Sequence, residues 1–110
     1  MVYVSITGLT LKAPRHVVRF WWHAIRSMRQ AQRAPGNLRT EARTINGVHH
    51  TLSVWTDETA MRAFLVRGAH RQAMAAFSSI ATGRTFGYTT DRVPDWSEVH
   101  NLHVSRGKPA

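Results

Sequence analysis

The chain has no cysteine, which excludes a disulfide framework, a thiolate metal site and a thiol nucleophile at once. It also has no stretch near the roughly 18 apolar residues that a membrane span needs. Its first residues, MVYVSITGL, carry no basic segment ahead of a long apolar run, so no secretory signal is read there. The default expectation is a cytoplasmic protein. Lysine is nearly missing, with Lys12 and Lys108 alone, and acidic residues number six against 15 Lys and Arg. Arginine therefore carries almost all of the formal charge of +9. Such a surplus fits either a polyanionic partner or a solvated surface in an arginine-rich proteome, and the preference for arginine over lysine, as high-GC coding tends to produce, favours the second. What is present is ordinary: 110 residues with 43% hydrophobic content suit one domain with one core.

Alternation dominates the start of the chain. Val2, Val4 and Ile6 point one way and Tyr3, Ser5 and Thr7 the other, the mark of a half-buried strand over residues 2–10. Pro14 opens a long helix, where its missing N–H costs little, and Ala34-Pro35-Gly36 stops it. Residues 38–45 read as a short edge strand. Asn46-Gly47 is a hairpin turn, since both residues tolerate positive φ. Residues 48–55 follow as a strand that puts His50, Leu52 and Val54 on one face and His49, Thr51, Ser53 and Trp55 on the other. Thr56 or Asp57 caps a helix with Met61, Phe64 and Leu65 on its buried stripe. Gly68 ends or bends that helix, and a further helical segment runs from residue 69 to 80 before a break at Ala81-Thr82-Gly83. Residues 84–90 form the last strand.

The order β-α-β-β-α-β specifies a ferredoxin-like α+β fold over residues 1–93, with residues 94–110 as a C-terminal arm and tail. In that fold helices cover one face of the sheet. Tyr3, Ser5, Thr7, His49, Thr51, Ser53 and Trp55 make one face mixed rather than fully solvated, which leads to the expectation that two sheets pack together in a homodimer.

The long helix, residues 15–33, sorts its side chains sharply. Val17, Phe20, Trp21, Ala24, Ile25, Met28 and Ala31 share one side, and Arg15, Arg19, Arg26, Arg29 and Arg33 gather opposite. Trp22 falls among the arginines and needs a cover or a partner.

Two runs of residues carry a family resemblance. Phe20-Trp21-Trp22-His23 with Arg26-Ser27 and Ala34-Pro35-Gly36 resembles the FW-x-H-x-x-R-S…APG stretch of the spheroidene monooxygenase family. The run Leu52-Ser53-Val54-Trp55, Asp57, Ala60-Met61, Phe64 and Gly68-Ala69-His70 resembles the S-x-W-x-D…GAH segment of the same proteins. Together they cover residues 16–74 with order and spacing kept. The element order is similar to that of the wider dimeric α+β barrel superfamily, which includes antibiotic-biosynthesis monooxygenases and haem-degrading monooxygenases. The resemblance implies a dimeric barrel with one pocket per subunit between sheet and helices. It also implies haem as a candidate cofactor, ligated by a second-helix histidine, for which His70 is the matching position.

His70 is accordingly a candidate haem-iron ligand or acid/base. His23 is a second candidate acid/base. Arg26 could clamp a carboxylate while Trp22 stacks on a planar ligand; a plain Arg–Trp cation–π contact explains the pair at least as well. Tyr3, Trp55 and Phe64 are candidate cavity walls, although core packing is the default for aromatics. His49 and His50 are adjacent on a strand, so their rings face opposite ways and cannot share a metal. His100 and His103 lie three residues apart, on what reads as a solvated arm.

The sequence thus supports a monooxygenase-like protein holding a small hydrophobic or planar molecule, with a basic module for nucleic acid or another anionic partner as the alternative. The alternative predicts retention on single-stranded DNA that falls steeply with salt; flow-through at low ionic strength would remove it.

Overall fold

The computed structural model describes residues 1–66 and 68–109, and among these the side chains of all but residues 69, 70, 108 and 109. Strand β1 (Val2–Leu11) runs through the middle of the sheet. It pairs antiparallel with β3 (Val48–Trp55) on one side and β4 (Ala81–Thr90) on the other. Strand β2 (Asn37–Ile45) lies outside β3, and the two-residue β5 (Lys108–Pro109) lies outside β4. The strand order β2-β3-β1-β4 with antiparallel pairing is the ferredoxin-like α+β arrangement that the element order specified.

Local chemistry accounts for most boundaries. A 3₁₀ turn at Pro14–His16 leads into helix α1 (Val17–Arg33). Gly36 follows at φ +84°, which only glycine adopts freely. Asn46 and Gly47 both have positive φ, as a tight primed hairpin requires. The Asp57 carboxylate accepts a hydrogen bond from the Ala60 N–H at 2.8 Å and so caps helix α2 (Glu58–Leu65). Helix α3 (Gly68–Ile80) runs straight into β4. The break expected at Ala81-Thr82-Gly83 is therefore the start of the strand. Its cause is the length of β1, which still offers Leu11, Thr10 and Leu9 as partners there. Gly83 leaves room for the Leu9 side chain, whose Cδ2 lies 2.4 Å from where a Cβ would stand.

The two faces of the sheet are covered differently. Residues opposite one another in the registers share a face, so Val4, Ile6, Leu52 and Val54 lie together, none more than 2% exposed. Helix α4 (Trp96–Arg106) seals this apolar face with Trp96 and Val99, backed by Leu102. The helix is tied to β2 as well: the Trp96 indole donates to Glu41 at 3.2 Å, and the Arg43 guanidinium lies 5.1 Å from the Trp96 ring centre. What read as a solvated arm is thus a covering layer, because an apolar face of this size cannot stay in water. His103 is buried with it.

Helices α1, α2 and α3 sit on the opposite, mixed face. Helix α1 rests on Phe20, Ala24, Ser27 and Ala31, one narrow line at helical spacing. Val17 and Ile25, expected on the buried side, are 41% and 47% exposed. The contact line is rotated away from them, toward α3, where Phe20 meets Phe77 at 5.0 Å. No helix is long and apolar enough to cross a membrane among the described residues.

The seat of α4 depends on the missing side chain of Gly8. A Cβ there would stand 2.3 Å from His103 Nε2. Gly8→Ala is expected to lower stability by about 1–3 kcal/mol, read by urea unfolding, with the fluorescence of Trp96 reporting a displaced α4 under native conditions.

Candidate functional site

The mixed face under the helices is not packed shut. A cavity of about 410 Å³ lies between it and α1–α3. Its floor is built by strand alternation: Tyr3, Ser5 and Thr7 of β1, Thr51 and Ser53 of β3, Thr40 of β2 and Thr85 of β4. Its roof is apolar, with Phe20 and Met28 from α1, Met61 and Phe64 from α2, and Met74 and Phe77 from α3. The space exists because α1 presents Ala24, Ser27 and Ala31 to the sheet, and small side chains leave the middle of the interface unfilled. Arg62 is the one charged group among the described lining residues, and Glu58 holds its guanidinium at 2.8 Å. The result is a row of hydroxyls facing an apolar, aromatic ceiling.

Tyr3 is set by its neighbours. Its hydroxyl lies across β4 at Gly87, 2.0 Å from where a Cβ would be, so only glycine admits it. Burial, reinforced by Glu58, raises the Tyr3 pKa above the ordinary phenol value. The phenol is therefore a neutral hydrogen-bond donor at physiological pH. Phe64 lines the cavity and stacks obliquely on Trp55 at 5.2 Å. Trp55 itself is fully buried, and its Nε1 has no hydrogen-bond partner. These three candidates are brought together, Tyr3 and Phe64 on the wall and Trp55 behind.

The helix-one candidates stand elsewhere. Trp22 is 57% exposed on the outside of α1, with the Arg26 guanidinium 4.5 Å above its ring and the His23 ring edge-on at 4.9 Å. This is the cation–π pair that the sequence allowed. Arg26 lines a separate outer cleft with Arg29 and Arg33. His23 is among the described lining residues of neither space. Its Nδ1 is buried without a partner, and its ring meets Phe77 of the cavity ceiling at 6.3 Å. Burial, with Arg19 and Arg26 nearby, lowers the His23 pKa, so it is a neutral imidazole. His70 belongs to α3, and its side chain lies outside the described residues.

The hydroxyl floor was half visible in the sequence. The alternation showed that Ser5, Thr7, Thr51 and Ser53 share a face, but not that helices would cover that face. Thr40 and Thr85 gave no signal, because their strands are irregular or lacked a known register.

A second group of titratable residues sits on the other side of the sheet. His50 Nε2 lies 2.8 Å from His100 Nδ1, and the His50 and His103 rings are 4.8 Å apart. Among the described residues no cluster of His, Asp or Glu has the arrangement of a metal site. His103 reaches hydrogen-bond geometry with neither ring nitrogen, although the backbone of Arg84 and Gly8 lies near enough to favour its charged form slightly. Burial dominates: it pushes the His50 pKa down to about 4, helped by His103 and His100, and it lowers His103 as well.

No family model matches the sequence, and no curated protein does. Solved structures do match. SnoaB, a cofactor-independent oxygenase from Streptomyces nogalater, is similar at a TM-score of 0.70 and 18% identity, over 86% of this chain and 98% of that one. A Nitrosomonas europaea protein, provisionally assigned as an antibiotic biosynthesis monooxygenase, reaches 0.75 at 13% identity, over 86% and 94%. A conserved protein from Methanosarcina mazei reaches 0.72 at 11%, over 83% and 95%. The chain therefore shares its α+β, ferredoxin-like fold with these antibiotic-biosynthesis-monooxygenase-like structures.

The histidine cluster makes stability pH-dependent with a definite sign. The folded pKa of His50 lies below its unfolded value, so the unfolded chain binds the extra proton first. Stability is complete above about pH 6.5 and is lost as pH falls toward 4, by at most about 3 kcal/mol from this residue. Urea midpoints at pH 7.5 and 5 should show the loss, and His50→Gln should shrink it. An unchanged slope in that variant would count against the cluster as its source.

Proposed function

We propose that the protein is a monooxygenase-like enzyme that holds a small hydrophobic, planar molecule in the cavity between the sheet and α1–α3. The observation that supports this most directly is the chemistry of the cavity itself, one wall of hydroxyls facing one wall of aromatic and thioether groups. An aromatic body packs against Phe20, Phe64 and Phe77, and ring oxygens on its opposite edge meet Tyr3, Ser5, Thr51 and Ser53. The fold likeness to SnoaB, a cofactor-independent oxygenase, supports the reaction class.

Hydroxyl donors along one wall stabilise negative charge as it develops on a phenol or enol oxygen. Such an anion is electron-rich enough to reduce oxygen itself. Conversion of a ring methylene to a carbonyl with release of water consumes one O2 and balances without an outside reductant. His23, kept neutral near Phe77 of the ceiling, is the proposed proton acceptor, with His70 as a second candidate acid/base by its imidazole chemistry. Haem has no imidazole or thiolate to meet it among the described lining residues. No step is assigned to it. Self-association, the other part of the proposal, must accommodate α4, which occupies the apolar sheet face in the single chain.

The test combines binding with turnover. Planar phenols should bind with micromolar affinity, and a substrate among them that carries a ring methylene should gain one oxygen and lose two hydrogens by mass, with one O2 taken up per turnover. Met28→Trp, which fills the cavity from its roof, should abolish both. Ser53→Ala and Thr51→Val should lower kcat by about tenfold or more each while leaving the fold intact by thermal melting. Binding that survives Met28→Trp in folded protein would place the ligand elsewhere. Mass in solution tests the dimer separately.

A further inference from the structure

The outer cleft that contains Arg26 is larger than the cavity, about 840 Å³, and has a different character. It lies between the C-terminal half of α1, from Arg26 to Arg33, and α2, from Thr59 to Phe64. Arg26, Arg29 and Arg33 form one side, at spacings of three and four residues, and so stand on one face of α1. The turn at Ala34, Pro35 and Gly36 closes the end, where the Thr56 N–H donates to the Gly36 carbonyl at 2.8 Å. Among the described residues none of the three arginines lies within 4 Å of a carboxylate, and α1 contains no acid of its own. Asp57, the acidic residue that lines the cleft, has one carboxylate oxygen engaged by the Ala60 N–H as the α2 cap.

Ordinary helix chemistry explains part of this. A cation in the last turn of a helix is favoured by the dipole, which accounts for Arg33. It does not account for Arg26, two turns earlier, nor for three like charges stacked with neighbouring pairs that repel by a few tenths of a kcal/mol each. Phe64 supplies the connection inward, since it lines both the cleft and the cavity.

We propose that this cleft is an oxyanion site, and that the ligand of the cavity is an apolar molecule bearing a carboxylate, its ring system under α1 and its acid on Arg26, Arg29 and Arg33. The inference rests on the cavity reading above and narrows its substrate class. Guanidinium groups suit the task because each presents a planar pair of N–H donors to a carboxylate. The Arg26 guanidinium is held over the Trp22 ring, its carbon 4.5 Å from the ring centre, at the side of this cleft.

Naphthoate and naphthamide, equal in shape and different in charge, separate the two ideas by calorimetric titration of the full chain. At low ionic strength naphthoate should bind about tenfold tighter, and the gap should close as salt rises. Arg29→Gln with Arg33→Gln should bring naphthoate to the affinity of naphthamide and leave naphthamide unchanged, which also shows that the variant is folded. If it does not fold, Arg33→Gln alone and the salt dependence of the parent carry the test. Equal affinity for both probes in the parent overturns the oxyanion site and leaves the cavity standing, and so does an acid preference that survives the substitutions. Binding of neither probe overturns both.

Discussion

The constraint on which the rest depends is the alternation in β1 and β3. One face of the central strand pair is Val4, Ile6, Leu52 and Val54; the other is Ser5, Thr7, Thr51 and Ser53. The apolar face must be sealed, and α4 seals it. The hydroxyl face cannot be packed dry against hydrocarbon, because each buried hydroxyl without a partner costs on the order of 1–3 kcal/mol. The helices over it consequently stand off at their centre and leave a lined space. Stability and site are thus assigned to opposite sides of one sheet, by adjacent residues along each strand.

Helix α1 shows how that division is achieved with little sequence. Phe20 and Ala31 anchor its ends, while Ala24 and Ser27 between them are too small to fill the interface. Its outer surface, with Val18 and Trp22 exposed and five arginines along or just before it, has no part in the core. A single helix therefore roofs the cavity with one face and borders the arginine cleft with another. Changing the small residues at the seat would alter the cavity volume, whereas changing the arginines would alter only charge.

Elements fixed by local chemistry were legible in the sequence. Alternation located β1 and β3, Asn46-Gly47 located the β2–β3 hairpin, Ala34-Pro35-Gly36 ended α1, and Asp57 capped α2. What failed depended on distant partners. The helical wheel identified an apolar side of α1 but not the direction from which the sheet would approach, so Val17 and Ile25 were placed inside. Residues 81–83 look like a helix terminator until the length of β1 is known. Helix α4 was obscured because its buried face, Trp96, Val99 and His103, includes a residue that reads as polar. The candidate residues divided for the same reason. Tyr3, Trp55 and Phe64 pack together, whereas Trp22 holds His23 and Arg26 against itself on α1, apart from them.

The comparison with known folds sharpens what the cavity can say. At 11–18% identity the shared feature is the pattern of elements, not the residues lining the space. A fold supports many chemistries, so reaction class by likeness is coarse, and specificity must be read from the side chains present. Here those side chains are unusually uniform: hydroxyls below, aromatics and thioethers above, and no carboxylate among the described lining residues. A cavity of that kind can orient and polarise an oxygenated ring but cannot by itself supply a strong base. In the proposed reaction the proton leaves through a group outside the described lining, such as His23, whose ring centre lies 6.3 Å from that of Phe77, or the substrate enters already ionised. The second route needs cationic residues along the approach, and in this chain they line the cleft on the far side of Phe64.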